Sequence, residues 1–157
     1  MKTYFLAALI VIMGTFSAFA GKDGVSVKDP WVRLAPPSAT VNAAYMKVHN
    51  GSKKERSIVS AKSPLFKKVE LHYSKVKDGV ATMEQLAQVT IPAGKMVALK
   101  PGGLHVMLIG PNKDIKTDMM VPITLTFANG QTLKVKAPVK KKHGKAGKKE
   151  HKGSHHH

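Results

Sequence analysis

The chain has 157 residues, enough for one domain with a substantial core, and it contains no cysteine. Without thiols there can be no disulfide scaffold, iron–sulfur cluster, Cys-bound zinc or blue-copper centre, so a soft-metal site must be built from His and Met. The formal charge of +17 favours acidic partner surfaces or a weak contact with an anionic membrane surface; nucleic acid is not expected, because aromatic residues are few and form no reading motif.

Residues 1–20 read as a signal peptide. Lys2 precedes the apolar run Phe5–Met13, and Ala18-Phe19-Ala20 fits a small-x-small cleavage site before Gly21. The run is too short to span a bilayer comfortably. The expected mature chain therefore starts at Gly21 in a periplasmic compartment.

Short apolar runs then recur every 8–12 residues. Val25-Ser26-Val27 reads as an edge strand and Trp31–Leu34 as a second one, stopped by Pro36-Pro37. Ala43–Val48 ends at Asn50-Gly51, and Ser57–Ala61 ends at Ser63-Pro64. Val69–Val76 alternates Val69/Leu71/Tyr73 against Glu70/His72/Ser74, and Lys77-Asp78-Gly79 signals a hairpin returning as Val80–Leu86. Val89–Ile91, Met96–Leu99, Leu104–Ile109, Ile123–Phe127 and Leu133–Val135 complete the set. With no amphipathic helix among them, these strands predict an all-β sandwich or small barrel over residues 21–139. Residues 140–157 change to Lys, His, Gly and Ala, and the expectation there is a disordered tail.

The chemistry concentrates on one face. In Leu104–Leu108 the side chains alternate, so Leu104, Val106 and Leu108 share a core face while His105 and Met107 share the other. A Met in a strand usually fills core, and solvent offers an outward thioether nothing. Imidazole beside thioether is a donor set that soft copper favours. His72 occupies the non-core face of its own strand, and a hairpin loop of two or four residues brings Met83 onto that face, opposite or one diagonal away; a three-residue loop separates them. His49, beside Asn50-Gly51, reads as a surface residue. Met46 and Met96 read as core, and Met119-Met120 as loop packing, with the lining of a copper route as the alternative.

His72, Met83, His105 and Met107 are separated by ten, twenty-one and one residues. That spacing resembles the motif of the periplasmic copper chaperones known as PCu(A)C. The flanks resemble the family as well, in Ala43-Ala44-Tyr45-Met46, Val69-Glu70-Leu71-His72, Ile91-Pro92-Ala93-Gly94, Pro101-Gly102-Gly103 and Leu125-Thr126-Phe127. The resemblance covers Val25–Val139 and implies a cupredoxin-like β-barrel. It further implies one Cu(I) on His72, Met83, His105 and Met107, delivered towards cytochrome oxidase assembly; separately, a monomer is expected.

Independently, two imidazoles and two thioethers are neutral donors that favour Cu(I) over Cu(II) and discriminate against zinc. No carboxylate pair, Ser-His-Asp set or phosphate loop points to an enzyme. The tail residues His143, His151, His155, His156 and His157 offer imidazole alone, which suits Cu(II) or zinc; Gly153–His157 also fits an appended tag. Two other classes are weighed against the chaperone. A copper-dependent redox protein is disfavoured by the missing Cys and by the mature N-terminal Gly21, and a basic module binding anionic surfaces would leave the four donors without a role.

Overall fold

The computed structural model describes residues 19–20 and 24–141. The chain forms eleven strands, with no helix among the described residues: β1 (Phe19–Ala20), β2 (Val25–Arg33), β3 (Val41–Asn50), β4 (Arg56–Lys62), β5 (Phe66–Lys77), β6 (Val80–Leu86), β7 (Val89–Ile91), β8 (Met96–Leu99), β9 (Leu104–Pro111), β10 (Met120–Phe127) and β11 (Thr132–Lys140). Hydrogen-bonded neighbours run β6-β5-β9-β3-β2-β11-β10-β4-β7, with β1 on β2 and β8 on β3. Almost all pairs are antiparallel; β11 meets β2 in parallel at Val139 and Lys140.

The sheet wraps one hydrophobic cluster. Val32, Ala44, Val48, Ile58, Ile91, Val106, Leu108, Ile123 and Leu125 are completely buried in it, together with Met46 and Phe127. Each large aliphatic side chain so buried contributes about 1.5–3 kcal/mol relative to exposure. Period-two alternation supplies the pattern: in β10 and β11 every second residue enters the core.

Three sequence expectations change. Val25–Val27 and Trp31–Leu34 join into the single strand β2, because Asp29 takes a left-handed φ of 50° and shifts the register between Lys28 and Trp31. A bulge there lets a strand pass through Pro30, which has no N–H to give the ladder. Asn50 is completely buried instead of sitting in a surface turn. Its amide donates to the carbonyls of Lys54, Ile91 and Pro92 and its oxygen accepts from Ser52, tying two loops to the end of β3. Met96 is 52% exposed and not core, since the β3–β8 register pairs it with His49, while Val97 and Leu99 pair with the buried Val48 and Met46. Met46 is core as expected, and Met119 packs against the core beside the exposed Met120.

Candidate metal centre

The β5–β6 turn fixes the first half of the site. Asp78 and Gly79 both have positive φ, 51° and 76°, giving a two-residue loop with Lys77 opposite Val80. Register then follows: Ser74 faces Met83 and His72 faces Gln85, so His72 and Met83 share a face one diagonal apart. On the other side of β5 the antiparallel ladder to β9 sets His72 directly opposite His105 and Glu70 opposite Met107. The two imidazole centroids are 5.8 Å apart, at 42°. Glu70, His72, Ser74, Met83, Gln85, His105 and Met107 thus occupy one face, opposite the core face bearing Leu71, Val106 and Leu108.

β3 and β2 extend this face. Ala43 is opposite Met107, and Tyr45 packs its ring 6.3 Å from His105 and 4.8 Å from Trp31. Arg33 lies over the Tyr45 ring at 5.7 Å. Burial pushes the Tyr45 phenol above its ordinary range, with the Arg33 charge pulling partly the other way. Met83, His105 and Met107 line a cleft of about 450 Å³ with Arg33, Tyr45 and Ser74; His72 stands beside His105, outside the lining. The exposures differ: Met83 is 54% exposed, whereas His105 is buried and Met107 half-buried.

Both imidazoles are held by hydrogen bonds. The carbonyl of Gly103 accepts from His105 Nδ1 at 3.0 Å and also from the Ser74 amide. The His72 Nε2 is 2.7 Å from the Glu70 carboxylate, which also pairs with Lys68. Hydrogen bonds from Lys68 first, then from His72, hold the Glu70 carboxyl below its usual range. The other nitrogen of His72, Nδ1, is buried and has no partner.

Among the described residues no group of three His, Asp or Glu is placed to hold a metal ion. Met119 and Met120 do not line the cleft. His143, His151 and His155–His157 lie outside the described residues, as does the expected tail disorder. Glu70, Tyr45 and Arg33 were not singled out by the sequence; for Glu70 the signal was its parity with His72 along the strand.

A small all-β domain with two His and two Met on one face beside an open cleft presents a donor set that suits a soft metal. Residues 25–139 match the family model described as "Putative lipoprotein LpqE-like". A curated relative from Leifsonia xyli subsp. xyli (strain CTCB07), "Putative lipoprotein Lxx21020", is 35% identical over 119 residues, 75% of this chain and 70% of the relative. The solution structure of CuI-DR1885 from Deinococcus radiodurans is similar at 38% identity and TM-score 0.60, over 71% of this chain and 75% of that one. The copper-bound PCuAC domain from PmoF2 shares the fold at TM-score 0.64 and 23% identity, over 81% and 97% of the two chains. The chain belongs to the LpqE-like family, within the PCu(A)C copper chaperones, and has their cupredoxin-like fold.

Proposed function

We propose that this protein is a periplasmic copper metallochaperone that carries one Cu(I) on His72, Met83, His105 and Met107. The observation that carries the reading is the register of β5 and β9, which sets the two imidazoles opposite each other on the face that also bears both thioethers. Copper is cargo here and not a resident cofactor. Four neutral soft donors suit Cu(I) and leave the occupied site with a net positive charge, which is tolerable beside an open cleft. The exposed Met83 is the donor that an acceptor can displace first, so transfer proceeds by ligand exchange at the mouth.

The acceptor we infer is a copper-binding protein of cytochrome oxidase assembly or the copper-centre subunit itself, met by a monomer. Export through the signal peptide is supported by the lipoprotein description of the curated relative. On residues 140–157 we infer a separate role: imidazoles without thioethers capture Cu(II).

Anaerobic Cu(I) titration with X-ray absorption tests the site. One equivalent should bind with two sulfur and two nitrogen donors; a site with no sulfur would refute it. A truncation ending at Val139 should keep Cu(I) binding and lose most Cu(II) binding, and unchanged Cu(II) stoichiometry would refute the tail's role.

A further inference from the structure

The two imidazoles are held in opposite senses. A carbonyl oxygen only accepts, so the 3.0 Å bond to Gly103 requires His105 to carry its proton on Nδ1, leaving the Nε2 lone pair free. An ionised carboxylate also only accepts, so the 2.7 Å bond to Glu70 requires the proton of His72 on Nε2. The lone pair of His72 is then on Nδ1, which is buried and unpartnered. A buried polar atom left without a partner carries a desolvation cost unless a ligand meets it. Coordination through Nε2 would instead require the Glu70 carboxylate to surrender its bond.

We propose that Glu70 is a positioning residue of the site, fixing His72 so that it meets Cu(I) through Nδ1, while His105 meets it through Nε2. This rests on the reading of His72 and His105 as ligands. The surroundings of Glu70 suit that role. Its side chain is 9% exposed, it lies two residues before His72 on the same face, and it faces Met107 across the ladder. Lys68 anchors the carboxylate from the other side. A carboxylate on the outer nitrogen of a ligating His fixes ring orientation and raises its basicity; removing such a group typically costs about 10–100-fold in metal affinity. It also places a negative charge near the bound cation without becoming a ligand.

Long-range ¹H–¹⁵N correlation spectra of the full chain test this, since Cu(I) is diamagnetic. Without copper, His72 should show the Nε2–H form and His105 the Nδ1–H form. One equivalent of Cu(I) should shift His72 Nδ1 and His105 Nε2. A shift at His72 Nε2 with Nδ1 unmoved would overturn this inference and leave the four-donor site standing. No shift at either His72 nitrogen would remove His72 from the site and overturn both. In Glu70→Gln the amide can accept from or donate to Nε2, so His72 should coordinate through a mixture of nitrogens, with Cu(I) affinity reduced about 10–100-fold; Glu70→Ala, which removes the partner, should move the same way. Parent affinity through Nδ1 alone in both variants would show that Glu70 has no positioning role.

Discussion

β9 and β6 flank the same strand, β5, yet they hold their candidate donors in opposite ways. β9 is laddered on both sides, to β5 and β3, and its other face enters the core through Val106 and Leu108, both completely buried. His105 and Met107 are fixed by that packing. β6 is the end of the strand path, paired only to β5 among the described residues, and exposed from Val80 to Gln85. Met83 therefore sits on a backbone held by one ladder and no core. A strand with few buried contacts opens more readily than a central one. On the proposed reading the interior donors are preorganised and the edge donor can yield, which suits a protein that must hold an ion yet surrender it.

The largest effect should come from attacking the interior side. Leu108→Ala empties a fully buried site and should cost about 2–5 kcal/mol in chemical denaturation. Val76→Ala, at a side chain 73% exposed near the hairpin tip, should stay within about 0.5 kcal/mol. Equal losses would erase the distinction between the two regions.

Next come the thioethers. Met107→Leu and Met83→Leu conserve volume, and each should weaken Cu(I) binding at least tenfold, about 1.4 kcal/mol, in chelator competition. Their stabilities should separate the regions: the Met83 change should leave the melting temperature where it was, whereas the half-buried Met107 should lower it slightly. Parent-like Cu(I) affinity in both would refute the donor set.

The smallest effect concerns acid. Because Lys68 and His72 lower the folded-state pKa of Glu70, its stabilisation is complete above the ordinary carboxylate value of about 4.5 and is lost as pH falls through the depressed value. Glu70→Gln should flatten the acid limb of the stability–pH curve. Glu84→Gln, on the exposed β6 with Lys75 4.0 Å away, should barely change it. Identical acid limbs in the parent and Glu70→Gln would remove Glu70 as the interior contributor.

What the sequence determined alone is whatever depends on neighbours along the chain. Period-two alternation assigned His105 and Met107 to one face and Val106 and Leu108 to the other, and placed His72 on the outer face of its strand. The His-Met spacing and its flanks carried the family. The hairpin was legible in Asp78-Gly79, although its loop length was open until the positive φ angles fixed a two-residue turn. Only the tertiary structure decided that β5 lies beside β9, because pairing strands so far apart in the chain depends on how the whole sheet closes on its core. The β5–β9 register put Glu70 opposite Met107, and the β3–β8 register set Met96 opposite His49, away from the core. Closure of the fold also buried Asn50, whose amide reaches the carbonyls of Ile91 and Pro92, some forty residues along the chain. Local alternation says which way a side chain points, and long-range pairing says what it meets there.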